Sequence, residues 1–275
     1  MSDPRRTLAP FGRRLAGVEA NEAVGAYRLI TASDPDGPPD PRPGQFYMLA
    51  AESRWGAGES ERPYLPRAFS YARAREGRLS FLLEDVGPGT HRLAELERGE
   101  RLWLTGPLGI GFDMPAERAR PLLVGGGIGA APLLCLQDEL GSEATILLGF
   151  RTGHHAEAAD LFAGEPHVAT DDGSTGRHAL VTELLREALD RSTVNGQRST
   201  IYACGPPAML EAVRALCSER EMEAQLALES GMACGFGACF GCVVPTRSGY
   251  VRLCVDGPVL DAADLLTALV PGAGH

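Results

Sequence analysis

Residues Pro121–Leu140, PLLVGGGIGAAPLLCLQDEL, decide the fold. A short apolar run stops at Gly125-Gly126-Gly127, a fourth glycine follows at Gly129, and a helical pattern begins near Ala130. Strand, glycine turn and helix in that order let a diphosphate approach the N–H groups at a helix N-terminus. The motif is G-G-G-x-G rather than the full G-x-G-x-x-G, and glycine turns also serve close strand-to-helix packing. Taken alone, the stretch admits both readings.

Downstream the alternation continues: ATILLGFRT, a loop rich in His and Asp, HALVTELLREALD, STIYACGPP and AMLEAVRALCSER. Strands alternating with helical periods predict βαβ units and a parallel sheet. Cys204, at the end of a predicted strand, falls on the carboxyl edge where open α/β sheets bind ligands. An acidic residue near 145–150 would suit a ribose contact, but the chain has Arg151 there, to meet a 2′-phosphate or to flank adenine, so NAD and NADP both stay open. His154 and His155 read as solvated loop residues, and Asp171 and Asp172 as part of a turn.

Upstream, short apolar runs separated by Gly and Pro predict an antiparallel β-barrel or sandwich: VGAYRLITA, QFYMLAA, RAFSYARA, RLSFLLEDV and ERLWLTGP. Residues 52–66 read as a loop. In RAFS, Arg67 and Phe69 share one face of a strand and Ser70 takes the other. A guanidinium can clamp a diphosphate, an aromatic can stack on a ring system and a hydroxyl can bond a ring nitrogen.

Beyond Met222 come one strand, EAQLALE, and then GMACGFGACFGC. Cys234-x4-Cys239-x2-Cys242, completed by Cys254 after eleven further residues, has the spacing of plant-type [2Fe–2S] ligation. Structural zinc sites use two closely spaced pairs instead. Gly235, Gly237 and Gly241 let the backbone wrap closely around the sulfurs. Cys135 and Cys217, in apolar helical patterns, read as core residues.

The 275 residues imply two or three domains. Acidic residues outnumber basic ones by 36 to 26, so the formal charge of −10 offers no general attraction for nucleic acid or anionic membrane. No run is long enough to span a bilayer and the opening lacks a secretory core, so a cytoplasmic protein is expected.

The ordered set RAFS, DVGPGT, TGPLGIGF, VGGGIGAAPLL, CGPPAML and the cysteine cluster ending LCVDGPV resembles the ferredoxin-reductase superfamily. More closely it is similar to the electron-transfer subunits of class B dihydroorotate dehydrogenase, from about Leu15 to the C-terminus. The resemblance implies an FAD-binding β-barrel over 1–116, a Rossmann-like parallel α/β domain for a nicotinamide nucleotide over 117–222, and a [2Fe–2S] module over 223–275. It implies that Arg67, Ala68, Phe69, Ser70, Gly89 and Thr90 line the FAD site, with Ser70 near flavin N5. Phe69 stands where many relatives have Tyr, which keeps the stacking but loses the phenol hydrogen bond. Gly125, Gly126, Gly127, Gly129, Cys204, Gly205 and Pro206 would serve the nucleotide, with Ser70 and Cys204 at the reacting centre. Cys234, Cys239, Cys242 and Cys254 would ligate the cluster. The implied partner is a separate FMN-containing catalytic subunit, two copies of each, in pyrimidine biosynthesis, with NAD as the external acceptor. Similar subunits serve sulfide dehydrogenase, NADH-dependent ferredoxin:NADP oxidoreductase and some hydrogenases, and a non-enzymatic redox sensor is the reading from another class.

Overall fold

The computed structural model describes residues 3–10, 12–56, 63–117, 119–141, 144–194 and 198–270. Positions 57–62, inside the stretch read as a loop, lie outside the described residues. The first seven strands are β1 (Arg14–Val24), β2 (Tyr27–Ser33), β3 (Phe46–Ala51), β4 (Arg67–Ser70), β5 (Arg73–Arg75), β6 (Arg78–Glu84) and β7 (Arg101–Leu108). They form one antiparallel sheet in the order β4-β3-β7-β1-β2-β6-β5. The sheet curls until β4 touches β6, which makes the expected barrel, although no ladder closes β4 on β5 among the described residues.

The run VGAYRLITA hides a hairpin. Gly25 takes φ +54° and turns the chain between β1 and β2. The preceding strand RLAGVEANEAV is mostly half-buried and sets Arg14, Glu19, Asn21 and Glu22 among small apolar residues, so its sequence carries little apolar signal. Inside the barrel the rings of Tyr47, Tyr71 and Phe81 meet edge-on, and Arg14 pairs in bidentate fashion with buried Asp34 at 2.9 and 2.6 Å. Helix α1 (Pro88–Ala94) leaves β6 with proline in its first turn, where the missing N–H costs nothing.

The later strands are β8 (Arg120–Gly126), β9 (Thr145–Phe150), β10 (His167–Thr170), β11 (Arg177–His178), β12 (Ser199–Cys204), β13 (Ala224–Ala227), the hairpin β14 (Val243–Thr246) and β15 (Gly249–Arg252), and β16 (Val259–Asp261). The helices are α2 (Ala130–Leu140), α3 (Gly153–Ala156), α4 (Val181–Val194), α5 (Pro207–Glu219) and α6 (Leu253–Asp256). A second sheet runs β11-β10-β9-β8-β12-β13-β16, parallel except for β16. Helices pack against it, so β12 is buried along its whole length and reads as an apolar run from Ile201 onward. From β8 the chain adds strands on one side and later returns to add β12 and β13 on the other. The crevice at such a reversal, outside the carboxyl ends of β8 and β12, is where open α/β sheets bind ligands.

The strand read in EAQLALE is β13, and it pairs with β12. With β16 it extends the second sheet, so the chain beyond Met222 is woven into that sheet as well as forming the cysteine loop. Leu228 donates its N–H to Pro258 O at 2.9 Å, and Ile110 at the end of the barrel bridges Pro258. Among the described residues no helix is long and apolar enough to cross a membrane.

Candidate functional site

The loop from Gly231 to Cys242 is irregular, and its shape depends on glycine. Gly235 and Gly237 have φ +78° and +84°, where a side chain is strained. A Cβ on Gly235 would stand 2.6 Å from Met48 Cγ, and one on Gly237 would stand 2.6 Å from Val255 Cγ2. The loop therefore meets the barrel at Met48 of β3 and Leu108 of β7. Buried Cys242 and Cys254 bring their sulfurs to 3.2 Å, while Cys234 sits beside exposed Cys239.

Backbone N–H groups aim at these sulfurs: Gly237 N to Cys254 Sγ at 3.1 Å, Gly241 N to Cys239 Sγ at 3.5 Å and Cys254 N to Cys242 Sγ at 3.5 Å. Burial opposes ionisation of Cys234, but the N–H groups of Cys239 and Phe236 and the Cys239 thiol outweigh it and hold the thiol at about 6. Burial, then the neighbouring Cys242, pushes Cys254 up to about 12. Two thiol pairs wrapped in N–H donors fit a binuclear centre with two thiolates on each iron. Among the described residues no three His, Cys, Asp or Glu side chains gather around a point that would hold a single ion.

Strand β4 sets Arg67–Ser70 in register with β3: Ala68 lies opposite Met48 and Ser70 opposite Phe46. Arg67 donates to Leu65 O at 2.7 Å and holds its guanidinium 5.9 Å from the Trp55 ring. A Cβ on Gly89 would fall 2.5 Å from Arg67 Nε, so the glycine lets α1 come this close without displacing the guanidinium. The Thr90 hydroxyl accepts from Val86 N and Gly87 N at 2.9 Å each and donates to Gly87 O at 3.0 Å. It is spent on the turn, which leaves the first-turn N–H groups of Gly89 and Thr90 for a ligand. Nearby, a cavity of about 470 Å³ is lined by Arg54, Gly87, His91 and Arg92. Among the described residues the buried Trp55 Nε1 and Arg92 Nη1 have no hydrogen-bond partner. Unpaired buried donors beside an arginine and a glycine-lined turn suit an anionic group such as a diphosphate.

The four glycines at the end of β8 and in the turn beyond it have different tasks. A Cβ on Gly125 would meet Leu148 at 2.7 Å, one on Gly126 Met209 at 2.5 Å, and one on Gly129 the Cys204 carbonyl oxygen at 2.3 Å. Those three allow close packing across the crevice. Gly127 has φ +54°, and the nearest atom to its would-be Cβ is the Tyr27 hydroxyl at 3.8 Å, so its backbone faces open space. Cys204 lies level with Gly125. Burial, and then the charge of Glu229, pushes its thiol well above the ordinary value, so it keeps its proton at neutral pH. Sequence reasoning passed over Glu229, which follows β13 at the same sheet edge and is exposed. No local motif marks it; only β13 pairing with β12 brings it there.

Cys135 and Cys217 are buried in the core. Asp172 caps its turn by accepting from Ser174 N at 3.0 Å. His154 is exposed, whereas His155 is enclosed between the two sheets, with Tyr27 edge-on at 5.6 Å, so it departs from the solvated reading. A second cavity, of about 390 Å³ and lined by Arg120, His167, Arg177 and Arg191, lies at the amino edge of the parallel strands, away from the glycine turn.

Residues 229–266 match the family model for the iron–sulfur cluster binding domain of dihydroorotate dehydrogenase B. The chain is 36% identical over 231 residues to the dihydroorotate dehydrogenase B (NAD(+)) electron transfer subunit of Caldanaerobacter subterraneus subsp. tengcongensis, covering 82% of this chain and 87% of that one. Among solved structures it superposes on the NADH-dependent reduced ferredoxin-NADP oxidoreductase with TM-score 0.73 and 22% identity, over 93% of this chain and 91% of that one. A ferredoxin NADP+ reductase from Neisseria gonorrhoeae with bound FAD and NADP follows at TM-score 0.60 and 18% identity, over 75% of this chain and 91% of that one. At these identities the structural likeness carries the fold alone.

Proposed function

This chain belongs to the family of dihydroorotate dehydrogenase B electron transfer subunits, and from that premise we propose how its residues divide the work. It is an oxidoreductase subunit that uses FAD, a [2Fe–2S] cluster and NAD, and it works with a dihydroorotate dehydrogenase catalytic chain. The further reading is that this partner carries FMN, that two copies of each chain assemble, and that the complex is cytoplasmic and passes dihydroorotate's electrons to NAD⁺. The units proposed for these tasks are 1–116, 117–222 and 223–275.

When bound, the flavin exchanges electron pairs with nicotinamide and single electrons with an iron–sulfur centre. In this reading Arg67 and the N–H groups of Gly89 and Thr90 hold the FAD diphosphate. Phe69 stacks on the ring system, Ala68 spaces the strand and Ser70 offers its hydroxyl near N5. The Gly125–Gly129 turn receives the dinucleotide, and Cys204, Gly205 and Pro206 border the nicotinamide. The buried Cys204 thiol stays protonated there. Cys234, Cys239, Cys242 and Cys254 supply four thiolates. Phe236, Phe240 and Tyr250 stand exposed on and beside this loop and offer an apolar rim to a partner chain.

One observation carries the proposal: the cysteine loop rests on Met48 of β3, directly opposite Ala68 of β4. The cluster and flavin sites therefore share one strand pair, which keeps the electron path short. The test is to isolate the complex from its host and analyse cofactors, then assay this chain alone. FAD, FMN, iron and labile sulfide should be recovered together. The lone chain should oxidise NADH with an artificial acceptor and leave dihydroorotate untouched. Dihydroorotate oxidation by this polypeptide alone, or a colourless protein with one zinc per chain, would refute the assignment.

A further inference from the structure

In a dinucleotide-binding βαβ unit the end of the second strand, about twenty residues past the glycine turn, decides between NAD and NADP. A carboxylate there bonds the ribose 2′-hydroxyl, and an arginine accommodates the 2′-phosphate. In this chain the position after β9 is Arg151. By local sequence that arginine admits a 2′-phosphate as readily as an adenine contact.

The fold adds a residue from elsewhere. Glu84, at the end of β6 in the barrel, crosses the junction and forms an ion pair with Arg151 Nη2. The same carboxylate lies 3.4 Å from His155 Nε2. Arg151 Nη2 is also 3.0 Å from that ring nitrogen. A guanidinium can only donate, so Nε2 accepts and the Nδ1 hydrogen goes to Thr152 Oγ1 at 2.8 Å. The junction is held closely: Ala26 donates its N–H to His154 O at 3.2 Å, and a Cβ on Gly25 would come within 1.9 Å of that oxygen. The Glu84 side chain is 24% exposed and Arg151 64%, so the arginine is reachable by a nucleotide while its charge is already matched.

We propose that Glu84 makes this chain select NAD over NADP. The carboxylate that other dinucleotide-binding units carry on their own second strand is here supplied by the flavin barrel. It occupies Arg151 and sets a negative charge where a 2′-phosphate would dock. This rests on the reading that a nicotinamide nucleotide binds at the β8–β12 crevice.

The test is a double-mutant cycle on the FAD-loaded chain. It measures kcat/KM for NADPH and NADH with an artificial acceptor, and calorimetric binding of adenosine 2′,5′-bisphosphate against 5′-AMP. Glu84→Gln should raise the NADPH:NADH ratio and the relative affinity for the 2′-phosphorylated ligand about tenfold. Adding Arg151→Ala should abolish that gain. Arg151→Ala alone should leave both ratios within about twofold. Ratios unmoved by Glu84→Gln, or relative affinity for the bisphosphate lost tenfold in Arg151→Ala alone, would overturn the proposal. The latter result decides even if Glu84→Gln fails to fold. A native chain that keeps FAD but binds neither adenosine ligand would instead remove the nucleotide reading beneath it.

Discussion

Gly127 and Gly129 lie two residues apart, yet alanine should act on them by different routes. At Gly129 the new methyl would collide with the Cys204 carbonyl, a backbone atom that cannot swing aside. Gly129→Ala should cost roughly 2–3 kcal/mol and spread the crevice between β8 and β12. At Gly127 there is room, and the only charge is that of a left-handed backbone on an L-residue, about 1 kcal/mol. Urea unfolding of the two variants should rank them in that order, with FAD retained in both and nucleotide binding weakened more in Gly129→Ala. From sequence the glycine run permitted either a diphosphate turn or close packing. The structure assigns packing to three glycines and an open backbone to one, because that division depends on Met209, Leu148 and Cys204, which arrive from other strands and helices.

At the scale of elements, α5 and the segment after it are joined by Glu211. Its carboxylate takes three bonds from Arg214, one from Thr267 Oγ1 at 3.0 Å and one from Ala268 N at 2.6 Å. The Arg214 hydrogen bonds, against some burial, hold its carboxyl at about 2, below the ordinary value of 4.5. A lowered folded-state value means that the stabilisation is complete above pH 4.5 and is lost as the pH falls toward 2. With water screening the pair, that amounts to about 1 kcal/mol. Glu211→Gln should remove this part of the acid sensitivity, and hydrogen exchange at Ala268 should speed up in the variant at neutral pH. Unchanged exchange would show that the segment is held by other contacts. Legibility also varied at this scale. Strands β8, β9, β12 and β13 and the long helices of the second sheet were visible because apolar period and length agree, whereas β10, β11 and α3 fall in the stretch read as a loop, where the runs are too short and polar to show a period. By contrast β1 was hidden by its polar face and α1 by its glycine and proline, whose preferences favour turns.

For the whole molecule, the chain beyond Met222 does two things: it carries the four cysteines and it completes the parallel sheet. Deleting residues 223–275 should therefore not leave a tidy flavin reductase. It would strip β13 and β16 from the sheet and bare the buried edge of β12. The truncated protein is expected to aggregate, seen as void-volume elution in size exclusion, whereas a chain with all four cysteines changed to serine keeps the strands and should elute as a folded monomer or small oligomer lacking the cluster. The cysteine spacing, the glycine turn and the alternation of strand and helix were settled by the amino-acid order alone, because each is a short-range property within reach of a few peptide units. Which groups meet across the two sheets was decided by tertiary packing: Met48 under Gly235, Glu229 near Cys204, Glu84 on Arg151. Those partners are far apart in the chain and share no period, so nothing short of the packed barrel and sheet could bring them together.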